Sequence, residues 1–248
     1  MKYIHSWSGG KDSTAAIILD HIHKLPPSTI VFSEVMFDKK HNISGELPEH
    51  INFVKNKAIP LFTKWGYDVK IVRADKDYID CFNSIIRKSK IPERIGKKHS
   101  FPLGRRCVIN RDIKSKAMNN FFKTVNEDFI QYVGIAIDEP KRLERLNGTN
   151  KISLIAKYGY TEQMAYDLCL EYDLLSPIYS FAKRNGCWFC PNQSYTEMAH
   201  LKKYYPHLWN ELEKLSHESN LVTQGFKYGA TFAEVNTKVD KILLEKDI

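Results

Sequence analysis

The stretch that most constrains the fold is Ser8-Gly9-Gly10-Lys11-Asp12-Ser13, with Thr14 behind it. An apolar run from Tyr3 to Trp7 leads into it, and a helical pattern from Ala15 to Leu19 leads out. Strand, glycine turn and helix N-terminus in that order make an anion site. Gly9 and Gly10 let the backbone approach an oxyanion closely, and the first free N–H groups of the helix point at it. The helix dipole adds partial positive charge. Ser8 and Ser13 can donate hydroxyls, Lys11 can neutralise a phosphate, and Asp12 can hold a magnesium ion. A Walker A loop needs four residues between its first glycine and its Gly-Lys pair, so this is a different loop. An ordinary glycine turn is the competing reading.

Strand-like runs recur at 2–7, 29–37, 68–73 and 129–137, nearly continuous in apolarity as buried parallel strands are. Helical patterns lie between them, over about 12–24, 48–66 and 109–123, with Pro60 expected to kink the second. This alternation predicts an α/β fold, a Rossmann-like parallel sheet with right-handed crossovers. Ligands bind such sheets at the C-terminal strand ends. Ser8 follows the first run, Asp38 the second, and Asp138-Glu139 the last. Asp138 and Glu139 could hold metal or a ribose, or cap the next helix. After residue 150 the character changes. Thr161 can cap a helix to about Tyr172, Leu175-Ser176-Pro177 breaks it, and helical stretches near 194–204, 207–218 and 231–246 finish the chain. The expected organisation is a nucleotide-binding domain over 1–150 and a smaller, mostly helical region over 151–248 that carries the cysteine cluster.

The 248 residues are 43% hydrophobic and 27% charged, a globular composition with neither repeats nor low-complexity tracts. No apolar run reaches about 18 residues, so neither a membrane span nor a membrane partner is expected. Five cysteines with no leader before the first strand predict a reducing cytoplasm, with thiols free or on metal. The net charge is +8, and residues 87–106 concentrate it: eight Lys or Arg against Glu93 alone. Such a patch suits an anionic partner such as nucleotide or RNA, and a solvated basic loop is the alternative.

Cys187-Trp188-Phe189-Cys190 is a CxxC turn between Gly186 and Pro191. Two thiolates at this spacing can chelate one metal or bind two irons of a cluster. A thioredoxin-type redox pair would normally follow the first strand of its own fold, and this one does not. Cys107 follows Arg105-Arg106 and precedes a helix, a setting that favours a thiolate, although taken alone it also reads as a buried thiol. Cys81 and Cys169 sit in apolar patterns and are expected in the core, with Cys169 the one candidate for a fourth protein ligand.

Taken together these residues resemble the phosphoadenosine phosphosulfate reductase family, a branch of the PP-loop ATP pyrophosphatases within the adenine nucleotide α-hydrolase-like superfamily. The resemblance spans roughly residues 1–195 in four blocks: Ser8–Ser13; Asp38 with Pro48-Glu49 and Phe53; Arg106-Cys107 with Lys114; and Gly134-Ile135-Ala136-Ile137-Asp138-Glu139 with Arg142. A cysteine at 107 followed by CxxC at 187–190 is similar to the iron–sulfur members. Two departures stand out. Sulfonucleotide reductases usually lack a lysine in the loop, and this chain has Lys11. They also carry a nucleophilic cysteine on a C-terminal tail, whereas no cysteine follows Cys190 here. The chain therefore looks more like the ATP-cleaving sulfur-transfer members, such as tRNA thiolases, DNA phosphorothioation proteins and thioamide-forming enzymes.

That resemblance implies an iron–sulfur-dependent sulfurtransferase that activates an acceptor with ATP, forming AMP and pyrophosphate. Lys11, Asp12 and Arg142 would do the chemistry, and Arg142 and Arg145 would face the anionic site, ordinary exposed charges on a helix being the competing reading. Ser8, Gly9, Gly10, Lys11, Asp12, Ser13, Asp38, Gly134, Asp138 and Glu139 would bind ATP and Mg2+. Cys107, Cys187 and Cys190 would hold a 4Fe–4S cluster with one open iron, zinc being the rival metal. Partners would be an anionic acceptor (RNA, DNA or a small molecule) and a sulfur donor, either a protein or sulfide. Two other functions compete: a sulfonucleotide reductase using an external thiol, and a non-catalytic nucleotide-binding subunit with a structural metal.

Overall fold

The computed structural model describes residues 1–103 and 107–245, so Arg105 and Arg106 lie outside the described residues. The strands are β1 (Lys2–Trp7), β2 (Ser28–Ser33), β3 (Met36–Asp38), β4 (Ile43–Ser44), β5 (Asp68–Val72), β6 (Phe129–Tyr132), β7 (Lys151–Ile152), β8 (Gly225–Lys227) and β9 (Ala230–Thr231). The first α-helices are α1 (Lys11–Ile22), α2 (Pro48–Phe53), α3 (Ile59–Lys64), α4 (Tyr78–Asn83), α5 (Ser115–Phe122) and α6 (Pro140–Leu143). Then come α7 (Leu154–Lys157), α8 (Glu162–Glu171), α9 (Tyr195–Tyr204), α10 (Pro206–Ser216) and α11 (Phe232–Glu245). The chain forms two compact units that interleave in sequence. The first holds Met1–Glu34, Leu47–Arg73 and Ser115–Asn185; the second holds Val35–Glu46, Ala74–Lys114 and Gly186–Ile248.

The first unit is built on a five-stranded parallel sheet of order β5-β2-β1-β6-β7. The chain moves one way from β1 to β2 and β5, then re-enters on the other side of β1 as β6. The crevice beyond the ends of β1 and β6 is therefore the point where strand order reverses, the usual ligand position in an open α/β sheet. Ile4, Trp7, Ile30 and Phe32 are buried, as expected for central parallel strands covered on both faces. Helix α1 buries Ser13 through Asp20 without a break. A solvent-facing helix would show an apolar stripe, so this one is packed all round. Thr161 caps α8 as expected, accepting from the Met164 amide at 3.2 Å. Pro60 is absorbed by a π-helical turn, Val54–Ala58, between α2 and α3. The wider turn accommodates a residue that has no N–H and a ring facing the preceding carbonyls.

The apolar run at 29–37 does not form one strand. It stops at Ser33, and Met36–Asp38 pairs antiparallel with β4 in a separate ribbon. The cause is Glu34, fully buried, whose carboxylate is held by Arg73 at 2.6 and 2.9 Å and by Lys55 at 3.1 Å. The 129–137 run likewise pairs only as far as Tyr132. Burial alone would raise the Glu34 carboxyl, but the two cations outweigh it and hold it below its ordinary value of 4.5. Its contribution is thus present above that value and lost as pH falls through the lower folded value. Glu34→Ala should cost about 2 kcal/mol at neutral pH, with the gap to wild type closing in acid. Denaturant titrations at several pH values read this; parallel profiles for the two proteins would remove the role.

The second unit has an aromatic core. Phe37, Tyr78, Trp188 and Phe189 pack with ring centroids 4.1–5.6 Å apart, and Phe82, Phe101, Phe226 and Phe232 continue the chain of contacts. Helices α9, α10 and α11 supply Leu201, Trp209, Leu212 and Val235, all buried, so the C-terminal region is helical as expected. Among the described residues no helix is long and apolar enough to cross a membrane.

Candidate functional site

The loop after β1 lies in the first unit. Trp7, at the strand end, donates its indole N–H to Thr14 Oγ1 at 2.9 Å and so ties the strand to the helix across the turn. Gly9 has φ +74, and a Cβ there would stand 2.5 Å from the His50 ring, so both backbone and space require glycine. Gly10 is the extended residue before α1, and no side chain caps the helix. Ser8 and Ser13 hydroxyls lie 3.1 Å apart, and the Ser8 amide donates to Ser13 Oγ at 3.2 Å. The Lys11 amide donates to the Tyr179 hydroxyl at 2.9 Å. From the β6 side Gly134 presses on the same turn: a Cβ there would lie 2.4 Å from Ser13 N and 2.5 Å from the Asp12 carbonyl carbon. The motif after β1 and the motif after β6 therefore meet at the point where strand order reverses.

Charges around the loop are balanced within it. Lys11 Nζ pairs with Asp12 at 2.7 Å and Glu162 at 2.8 Å. Burial works against the Lys11 charge, but the two carboxylates outweigh it and raise its pKa. Burial raises the Asp12 carboxyl, Lys11 opposes, and Glu162 and Glu139 add to the rise. Arg142 is engaged by Glu139 at 2.5 Å, and Asp138 accepts from the Glu162 amide at 3.2 Å, so Asp138 steadies the start of α8. Beside Lys11 opens a cleft of about 360 Å³ walled by Tyr166, Tyr179 and residues 180–183.

Several residues here carried no sequence signal. Glu162, Tyr166 and Tyr179 reach the loop only through folding. His50 is buried, bonds Ser176 Oγ at 2.8 Å through Nδ1, and places Nε2 3.2 Å from the Ser8 carbonyl. Asn185 donates to that carbonyl at 2.6 Å, leaving its own Oδ1 buried without a donor among the described residues. The Pro48-Glu49 block was the one hint, since it starts the helix that carries His50. Cys169 is fully buried in this unit, its thiol donating to the Lys11 carbonyl at 3.2 Å and pushed up to about 12, chiefly by burial. It serves the loop's backbone, as a core residue.

Asp38 belongs to the second unit. Its carboxylate accepts from the His41 amide at 3.1 Å and meets His41 Nδ1 at 2.7 Å, closing a turn. The CxxC turn is also in this unit. It is sewn to the β4 segment by Trp188 N to the Gly45 carbonyl at 3.0 Å and Trp188 Nε1 to the Ser44 carbonyl at 2.7 Å, and closed by Cys190 N to the Cys187 carbonyl at 3.0 Å. Cys107, Cys187 and Cys190 line one small cavity of about 40 Å³ with Phe189 and Tyr228. Among the described residues no group of three His, Cys, Asp or Glu side chains is placed as a metal-ligand set. Burial pushes the Cys187 thiol well up, Glu46 adds to that, and Lys114 opposes. Cys107 meanwhile turns its sulfur to the Asn110 amide at 3.3 Å.

The donor chemistry nonetheless fits a thiophilic group. Three sulfurs share one cavity. The Tyr78 hydroxyl, buried against Phe189, has no hydrogen-bond partner among the described residues, and burial pushes its pKa well up. A buried phenol without an acceptor is costly, and sulfur anions beside it would satisfy it. Cys81, expected in the core, is half-buried and raised to about 11, mainly by burial.

What stands is an α/β fold with a five-stranded parallel sheet and a helical C-terminal region, and the chain matches neither any model of a known protein family nor any curated protein.

Proposed function

We propose that the protein uses ATP to activate an acceptor for sulfur transfer, releasing AMP and pyrophosphate. One observation carries the reading: a helix N-terminus with no N-cap side-chain bond behind Ser8-Gly9-Gly10, at the point where strand order reverses, with Gly134 pressed against it. The acceptor oxygen attacks the α-phosphorus, the bond to the β-phosphate oxygen breaks, and pyrophosphate leaves. The Gly10 and Lys11 amides and the Ser8 and Ser13 hydroxyls bind phosphate oxygens, with Tyr179 yielding the Lys11 amide. Lys11 turns from Glu162 to the leaving group, and Asp12 is the carboxylate for Mg2+, which offsets charge on the departing phosphates. Sulfur then displaces AMP from the activated carbon or phosphorus. Cys107, Cys187 and Cys190 are the proposed ligands of a 4Fe–4S cluster, which would supply an iron for holding sulfide, with zinc as the rival occupant.

Product analysis tests the reading. Incubation with ATP, Mg2+ and candidate acceptors should yield AMP and pyrophosphate, and Lys11→Ala should slow release roughly 10²–10³-fold while leaving the thermal transition in place. ADP and phosphate as products would remove the proposal. Sulfite from a sulfonucleotide and an external thiol, undiminished in Lys11→Ala, would favour the reductase instead.

A further inference from the structure

The second unit contains a larger cavity, of about 540 Å³, that shares Pro102 with the small one that the three thiols line. Its size is that of a small-molecule site. One wall is apolar, with Phe82, Phe101 and Val222. The rim carries Lys76, Lys88 and Arg94, none of which has a salt-bridge partner among the described residues. Arg111 also lines it but is engaged by Asp112 at 2.5 and 2.8 Å. Lys88 and Arg94 come from the basic segment 87–106, and Lys76 from the turn before α4.

Two observations show a built site. Ser100 lines the cavity, is 1% exposed, and its hydroxyl has no hydrogen-bond partner among the described residues. Its backbone is held at φ +59, a conformation disfavoured for serine. The basic segment is also pinned. Ile86 and Gly96 bond through the Ile86 N to Lys97 carbonyl and Gly96 N to Ile86 carbonyl links, both 2.9 Å, and Ser100 N reaches the Phe82 carbonyl at 3.1 Å. Lys98 bonds the Asn220 carbonyl and Val222 amide, and its ammonium is spent on Glu218 at 2.9 Å. Lys97 and Lys98, the obvious basic pair in the sequence, are thus absent from the cavity lining.

We infer that this cavity binds a nucleotide unit, its phosphate on Lys76, Lys88 and Arg94, its base along Phe101, and a ligand polar group on the Ser100 hydroxyl. Three cations without a salt-bridge partner, against one lining carboxylate, Asp112, which Arg111 engages, suit a phosphate dianion or a phosphodiester chain, and the apolar residues give a flat ring a surface. The inference rests on the second unit alone and is independent of what the loop binds. The nucleotide could be free or part of a single RNA strand.

The test uses the full chain without ATP. Nucleoside 5′-monophosphates, ribose 5-phosphate, inorganic phosphate and a short single-stranded RNA are titrated calorimetrically. The double variant Lys88→Glu/Arg94→Glu should weaken nucleotide or RNA binding at least tenfold, while Lys98→Ala, outside the cavity lining, leaves it unchanged. Ser100→Ala should weaken binding without lowering thermal stability, since it deletes a hydroxyl with no partner. Binding of the RNA alone identifies a strand segment as the occupant, with the salt slope falling by about 2 in the double variant. Binding of monophosphates alone identifies a free nucleotide. Ribose 5-phosphate or phosphate binding as tightly as nucleotide overturns the assignment. So does binding that Lys11→Ala abolishes and the double variant spares, or no binding at millimolar concentration.

Discussion

Gly134→Ala should weaken nucleotide binding at the loop roughly 10²-fold, although it adds only one methyl group. The added carbon would stand 2.4 Å from Ser13 N and 2.8 Å from the Asp12 carbonyl oxygen. Those are backbone atoms of the first turn of α1, which cannot rotate away as a side chain would. Either the strand end or the helix must retreat by about 1 Å, and a displacement of that size at a phosphate-positioning site costs roughly 10²-fold. Overpacking should also lower stability by about 1–3 kcal/mol. Gly186→Ala is the control, because a methyl there meets nothing within 4 Å. Equilibrium binding of ATP, with denaturant titrations alongside, separates the two effects. A Gly134→Ala protein that binds ATP as wild type does would show that the turn after β6 has no part in the site.

The second large effect is expected at the thiols. Reconstitution with iron and sulfide under reducing conditions should give a brown protein, and alanine at Cys107, Cys187 or Cys190 should each remove the colour and the bound iron. Cys81→Ala and Cys169→Ala should keep both, since Cys169 is committed to the Lys11 carbonyl. Tyr78→Phe adds a readout that turnover does not touch. In the unloaded protein it deletes a buried hydroxyl with no partner, so stability should hold or rise by up to about 1 kcal/mol. In the loaded protein it should change the absorption spectrum and speed loss of metal to a chelator, because a donor to bound sulfur is gone. Equal metal content in wild type and all three cysteine variants would exclude these residues as ligands. A colourless protein that binds one zinc ion would name zinc as the occupant.

The elements most local in origin were legible in the chain itself. β1, the glycine turn and α1 follow from neighbouring residues, as do the cap at Thr161 and the CxxC turn, since each is decided within a few positions. Boundaries set by distant partners were not. The 29–37 run is apolar apart from Thr29, Ser33 and Glu34, and Lys55 and Arg73, brought to the Glu34 carboxylate by folding, meet it where the strand ends.

What the sequence by itself determined is the alternation of strand and helix, hence a parallel α/β sheet, and the chemistry available at the turn after β1. Tertiary structure decided which residues share a site. It brought Gly134 to the loop because β6 enters beside β1, and it set Glu162 and Tyr179 on Lys11. It gave Asp38 to His41, closing a turn, and spent Lys98 on Glu218 while leaving Lys88 and Arg94 at a cavity. The physical reason is one of range. Propensity and hydrophobic period act over a few residues, whereas the pairing of buried charges and the filling of space depend on strand order, which no local stretch encodes.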